Sequence, residues 1–273
     1  MIDSHQHFWK YDPVRHSWIS DDMHTIRRDF FPADLRPILD EHGIEGCVTV
    51  QVDQTEDETL ELLTLANQHA FIRGVVGWID LTNDDLASRL EYFSSLKKLK
   101  GFRHIVQGEQ AGFLTQTSFA RGVRMLDQYH FTYDLLVYHH QLAEALEFVR
   151  QIPKTKIVID HIAKPSIRTA DIRNWEKHMR ALAAFPNVYC KISGMVTEAR
   201  WADWKYEDFV PYLDVVFEAF GADKLMYGSD WPVCLVAASY DRQFAITRQY
   251  VSRLSDAEKR KVLGENAERF YKL

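Results

Sequence analysis

The chain has 273 residues, 46% of them hydrophobic and 26% charged, a balance that supports one large buried core and excludes a disordered chain. Its 33 Lys and Arg against 39 Asp and Glu leave a formal charge of −6, so it has no general attraction for nucleic acid or an anionic membrane, and a small molecule is the expected partner. Three cysteines without CxxC spacing, Cys47, Cys190 and Cys234, argue against a disulfide framework and a zinc–thiolate site.

Short β-branched and aromatic runs alternate along the chain with longer amphipathic stretches, the pattern of a parallel sheet wrapped by helices. The first run, Ile2 to His7, leads into an aromatic segment spanning residues 8–32 that carries Trp9, Tyr11, Trp18, Phe30 and Phe31. It is too long for an ordinary connection and reads as an active-site loop. The second run, Glu45 to Val52, is followed by a helix over Glu56 to Ala70, the third, Ile72 to Leu81, by one over Leu86 to Leu99, and the fourth, Lys100 to Val106, by one over Phe119 to His130. The fifth, Thr132 to His139, precedes a helix over Gln141 to Ile152, and the sixth, Lys156 to His161, one over Ile172 to Phe185. The seventh and eighth are Asn187 to Ser193 and Lys224 to Asp230, after which Tyr240 to Leu254 and Ala257 to Tyr271 close the pattern as helices.

Eight runs are the number that closes a barrel, so a single-domain (β/α)8 TIM barrel over residues 1–273 is expected. An open doubly wound sheet would show the same alternation, but neither a GxGxxG after the first strand nor a P-loop is present. The start, Met1-Ile2-Asp3-Ser4-His5, lacks a basic stretch and an apolar core of a signal peptide, and no window approaches eighteen consecutive apolar residues. The expected location is therefore the cytoplasm.

In a closed barrel of this type the chemistry sits at the C-terminal ends of the strands. His5 and His7 end the first run, Arg103 and His104 the fourth, His139 and His140 the fifth, His161 the sixth, Ser193 the seventh and Asp230 the eighth. Residues two apart on a strand share a face, so the imidazoles of His5 and His7 should point together into the mouth. With the Asp230 carboxylate they make a set able to hold one divalent ion, zinc foremost. An isolated HxH is more often solvated or buried in a core, and what lifts this one is the company of the other strand ends.

Asp230 is expected to act as general base, the competing reading being a cap on a following helix, which Pro232 weakens. His161 is expected to orient a carbonyl or bind metal. Asp160 should face away from His161 and pair with a base in the layer between strands and helices. Arg103 and His104 should point to opposite faces, so that only one reaches the site. Lys164 is either a substrate contact or a solvated loop lysine, and Trp9, Trp18 and Trp231 either stack on a substrate or simply pack the loop.

At His5-Gln6-His7-Phe8-Trp9, Arg28-Asp29-Phe30, Gly77-Trp78-Ile79-Asp80-Leu81, Lys100-Gly101-Phe102-Arg103-His104, Asp134-Leu135-Leu136-Val137, Asp160-His161 and Gly228-Ser229-Asp230-Trp231-Pro232 the chain resembles the amidohydrolase superfamily. Within it, the chain is most similar to the sugar-lactonase branch, whose types are L-fuconolactonase and L-rhamnonolactonase. The resemblance implies hydrolysis of a sugar lactone, with Asp230 and His161 catalytic and Arg103, His104, His139, Lys164, Trp9 and Trp231 on the substrate. It implies no metal or one divalent ion on His5, His7 and Asp230. A binuclear centre is not expected, because Lys100 stands at the start of the fourth strand, too early to bridge two ions. The alternative within the superfamily is a metal-dependent decarboxylase of a small unsaturated or aromatic acid.

Overall fold

The computed structural model describes all residues, 1–273. Eight strands, β1 (Ile2–Gln6), β2 (Gly46–Val50), β3 (Ile72–Gly77), β4 (Leu99–His104), β5 (Thr132–Leu135), β6 (Ile157–Ile159), β7 (Val188–Ile192) and β8 (Leu225–Tyr227), lie in sequence order, each parallel to the next. The ring closes between β8 and β1 through a parallel bridge from Gln6 to Trp231 and through the Asp230 amide, which donates to the His5 carbonyl at 2.8 Å. The strands are short and buried on both faces, as parallel barrel strands are.

Around them run α1 (Pro32–Glu41), α2 (Glu56–Gln68), α3 (Leu86–Ser94), α4 (Thr117–Leu126), α5 (Leu142–Gln151), α6 (Arg173–Ala183), the single turn α7 (Met195–Glu198), α8 (Tyr206–Phe220), α9 (Tyr240–Val251), α10 (Asp256–Arg260) and α11 (Asn266–Tyr271). Their starts are written locally. Thr55 caps α2, its hydroxyl accepting from the Glu58 amide at 3.2 Å ahead of three acidic residues, and Ser239 caps α9 in the same way at 3.3 Å. None of these helices is long and apolar enough to cross a membrane.

Besides the single turn α7, two longer helices, α1 and α8, have no counterpart in the pattern read from sequence. Both carry an internal proline, Pro37 and Pro211, which ordinarily marks a helix boundary. The stretch expected as one helix from Ala257 to Tyr271 is α10 and α11 joined by a π-helical turn over Lys261–Glu265. α11 plugs the lower end of the barrel, where Ala267, Phe270 and Tyr271 pack with Ile2, Val48, Val50, Val76, Val158 and Met226. Above this apolar floor the barrel interior turns polar, and the site is built there.

Several strands end earlier than expected. β6 stops at Ile159 and β8 at Tyr227, so His161 and Asp230 lie just beyond the pairing instead of within it. The cause is backbone conformation: Asp230 has φ 57°, and His161, Ile162, Ala163 and Lys164 have φ 55°, 47°, 58° and 45°. L-residues avoid this left-handed region, at a cost of about 1–2 kcal/mol each, and cannot continue a strand in it.

Candidate active site

The first strand supplies the paired imidazoles as its two-residue spacing requires. His5 Nε2 and His7 Nε2 lie 3.2 Å apart, both rings buried. The Asp230 carboxylate comes to meet them from the turn after β8, with Oδ1 at 3.4 Å from His7 Nε2 and 3.9 Å from His5 Nε2. His161 arrives from the left-handed turn after β6, its Nε2 3.8 Å from the same oxygen. Two glycines make the approach possible. A Cβ on Gly228 would stand 2.6 Å from the His5 Cβ, and one on Gly194 would stand 2.5 Å from His161 Nδ1.

The rings are oriented from behind. The His7 Nδ1–H donates to the Val50 carbonyl at 2.7 Å, which leaves Nε2 with a lone pair facing the others. His161 Nδ1 meets the Ser193 hydroxyl at 2.9 Å, and His5 Nδ1 meets Asp160 Oδ1 at 3.3 Å. Burial holds all three imidazoles below their ordinary pKa, against the opposing pull of Asp160 on His5 and of Asp230 on His7 and His161, so all three favour the neutral, ligating form. Burial pushes the Asp230 carboxyl up, but His161 and His7 outweigh it and hold it below the usual range, so it stays ionised.

This donor set fits a single divalent ion. His5, His161 and Asp230 offer ligand atoms within 4.8 Å of one another, and His7 Nε2 stands beside two of them, His5 and Asp230. Tetrahedral zinc with bonds of about 2.0–2.1 Å places neighbouring ligands about 3.3–3.4 Å apart. The separations of 3.2 Å between the paired imidazoles and 3.4 Å from His7 to Asp230 match that spacing.

Beneath the imidazoles lies a buried charge network. Lys191, from β7, reaches Asp134 Oδ2 at 2.5 Å, Asp160 Oδ1 at 3.0 Å and His5 Nδ1 at 3.1 Å, with both carboxylates and the lysine at 0% exposure. Arg103 Nη1 completes it at 3.2 Å from Asp160 Oδ2, and the Tyr271 hydroxyl of the barrel plug donates to Asp134 at 2.8 Å. Burial pushes Asp160 up, yet Lys191, His5 and Arg103 overcome it and hold it well below the ordinary range, whereas burial prevails for Asp134, at about 6. Asp160 does pair with bases, but inside the barrel and not in the strand–helix layer. The left-handed backbone at His161 breaks the alternation that would have separated the two side chains.

The chamber above these groups has a volume of about 420 Å³ and is lined by His7, His161 and Asp230 together with Arg103 and Lys164. That is room for a small polar ring. Of the paired strand-end residues only Arg103 faces it. His104 points outward, bonded to Glu109 Oε1 at 2.8 Å and stacked on Phe113 with ring centroids 4.8 Å apart, and does not line the chamber. His139 is also set back: its Nδ1–H donates to the Lys164 carbonyl at 2.8 Å, so it reaches the chamber only through that residue.

Trp9 and Trp231 pack within the protein. Both are buried against Phe30, at centroid distances of 5.4 and 5.2 Å, and neither lines the chamber. From the aromatic loop it is Trp18 and Met23 that form a wall. Reading the sequence by strand ends missed Lys191, although a lysine amid Val188, Cys190 and Ile192 is itself a sign of a buried cation. It also missed Glu198 of α7, which lines the chamber and whose carboxyl burial raises.

Comparison with known proteins gives the site a context. The amidohydrolase family model matches residues 2–273. An L-fucono-1,5-lactonase of Burkholderia multivorans is 40% identical over 286 residues, covering 100% of this chain and 96% of the relative. An L-fucono-1,5-lactonase of Burkholderia ambifaria is 34% identical over 280 residues, covering 100% and 95%. Among solved structures, an amidohydrolase from Burkholderia multivorans with bound zinc superposes with a TM-score of 0.97 at 40% identity, over 100% of this chain and 99% of that one.

Proposed function

Because the chain belongs to the amidohydrolase family and is a lactone hydrolase within it, we propose that it opens the ring of a sugar-acid lactone of the L-fucono or L-rhamnono type, with Asp230 activating the water. The observation that carries this reading is the meeting of an ionised carboxylate with three neutral imidazoles at the floor of one chamber.

All three imidazole contacts of Asp230 use Oδ1, so Oδ2 is the atom that accepts a proton from water as its oxygen bonds to the lactone carbonyl carbon. The electron pair passes to the carbonyl oxygen, where His161 and Arg103 stabilise the growing charge in a site shielded from solvent. Collapse restores the carbonyl and breaks the bond to the ring oxygen. Asp230 then returns its proton to the departing alkoxide, so that lactone and water become one hydroxy acid. Either tautomer of His161 is served by the Ser193 hydroxyl, which can donate to or accept from Nδ1. One divalent ion, zinc by the donor set, would be held by His5, His7 and Asp230 with His161 at hand, and would polarise the carbonyl and acidify water.

Arg103 and Lys164 hold substrate oxygens, and Trp18 with Met23 covers the less polar face. No feature of the chamber singles out the decarboxylase alternative. The test is a panel of aldonolactones followed with a pH indicator. Acid released in step with ring-opened product supports the reading, and carbon dioxide release without turnover of any lactone overturns it.

A further inference from the structure

Glu198 stands in the chamber with no part in the chemistry proposed above. It ends α7, a turn that leaves β7 through Gly194 at φ 60° and is braced internally. The Thr197 hydroxyl donates to the Gly194 carbonyl at 2.7 Å, the Trp201 indole donates to the Thr197 carbonyl at 2.9 Å, and Met195, Val196 and Ala199 are buried beneath. The carboxylate is therefore held by a rigid support and not by a mobile loop. Its side chain is 22% exposed, and its nearest cation, Lys164 Nζ, lies 4.0 Å from Oε1, outside hydrogen-bond range. Lys164 is itself 17% exposed and sits 5.4 Å from the centre of the Tyr138 ring.

A carboxylate that lines a substrate chamber without a hydrogen bond from the protein has its acceptor capacity unspent, and the adjacent ammonium has donors to match. Together they present what a pair of neighbouring hydroxyls needs: two acceptor oxygens for the O–H groups and a cationic donor for a hydroxyl lone pair. A salt bridge closed at hydrogen-bond distance would have hidden both groups. We propose that Glu198, with Lys164 beside it, is the specificity-determining residue of this chain, selecting lactones that carry adjacent free hydroxyls over the same ring without them. The inference rests on the lactonase reading and deepens it. Charged acceptors spent on substrate hydroxyls reject analogues lacking them, because the carboxylate must then stay desolvated and unpaired.

The test compares wild type with Glu198→Gln and Glu198→Ala on two substrates of one ring size, a hexono-1,5-lactone with its hydroxyls free and δ-valerolactone, which has none. The readouts are kcat/KM for the sugar lactone, and kcat/KM or the inhibition constant for δ-valerolactone. Glu198 touches no catalytic group, so the expected result is a loss of about 10- to 100-fold on the sugar lactone. Turnover or binding of δ-valerolactone should hold or improve, because the variants no longer leave a carboxylate desolvated and unpaired beside it. An equal loss on both substrates would assign Glu198 to the reacting atoms or to the fold, and no loss on either would leave it idle, and each overturns the inference. A wild type that opens neither lactone removes the lactonase reading, and this inference with it, whereas a wild type active on both with unchanged variants removes the inference alone.

Discussion

Replacing Gly194 by alanine isolates how tightly His161 is held. A Cβ at residue 194 would lie 2.5 Å from His161 Nδ1 and 2.6 Å from its Cγ, where ordinary contact begins near 3.4 Å, so the imidazole must retreat by about 0.9 Å. A misplacement of about 1 Å in a catalytic group costs on the order of 100-fold in rate. The residue also has φ 60°, which adds a backbone cost of about 1–2 kcal/mol, or roughly 2–8 °C in Tm for a chain of this size. Gly43 separates the two effects. It shares the left-handed backbone at φ 65°, but the nearest atom to its Cβ position is Met1 Cε at 3.9 Å. Gly43→Ala should therefore lower Tm by a similar amount and leave turnover alone, while Gly194→Ala should lower Tm and cut kcat/KM on an aldonolactone by about 100-fold. Turnover by Gly194→Ala within about threefold of wild type would mean that the position of His161 does not matter to the reaction, and the catalytic role given to it would fall.

Asp230→Asn keeps the shape of the side chain and removes the base. Lactone turnover should fall by about 100- to 10,000-fold with an unchanged far-UV spectrum, and near wild-type rates would remove Asp230 from the mechanism. Dialysis against a chelator should lower both activity and Tm, with zinc or manganese restoring them. Full activity in protein shown by metal analysis to be empty would instead leave the imidazoles acting alone. Burial pushes the Glu58 carboxyl up to about 8 from an ordinary 4.5, even though the Val52 and Asp53 amides donate to it. The folded state thus holds this proton more tightly than the unfolded chain does. Its stabilising contribution is full below pH 4.5 and is lost as pH rises toward 8, at up to about 1.4 kcal/mol per pH unit. Urea midpoints measured across that range should fall for wild type and flatten in Glu58→Gln, and identical slopes in the two proteins would contradict the assignment.

The barrel was legible because its strands are nearly all apolar and its helices carry clear amphipathic periods, so alternation alone reported eight parallel units. The longer helices that escaped, α1 and α8, are those in which Pro37 and Pro211 break the local signal while burial on the barrel sustains the helix. At the site, His5 and His7 were readable because a two-residue spacing in extended chain puts both rings on one face, and the register shift of β1 between Asp3 and Gln6 leaves their two Nε2 atoms 3.2 Å apart. The joint inward placement of Asp160 and His161 was not readable, since the period-two rule that carries Asp160 inward after Val158 fails at His161, where φ turns positive. The orientation of His104, Trp9 and Trp231 away from the chamber was not readable for a different reason. Residue type marks a side chain as able to bind a sugar, but which way it turns was settled by Glu109 and Phe113 in one case and by Phe30 in the other two.

The two strand ends that non-glycine residues leave through left-handed backbone are the two that deliver His161 and Asp230 to the chamber, and this is a consequence of barrel geometry. A strand that stayed regular would aim alternate side chains at the interior and the helices, leaving only every second residue for the mouth. Asp160 follows Val158 into the interior, and the left-handed turn over His161–Lys164 then sets His161 at the floor and Lys164 in the wall of the chamber, all within five consecutive residues. Such a turn costs about 1–2 kcal/mol per residue, so it persists only where its surroundings over-determine it. They do so here. The Trp175 indole donates to the Ile162 carbonyl at 2.7 Å, His139 to the Lys164 carbonyl at 2.8 Å, and Lys191 and Arg103 grip Asp160 from below. The buried charge network and the strained turn are thus one device, in which ion pairs that add little net stability in a low-dielectric interior hold the backbone that points His161 into the chamber.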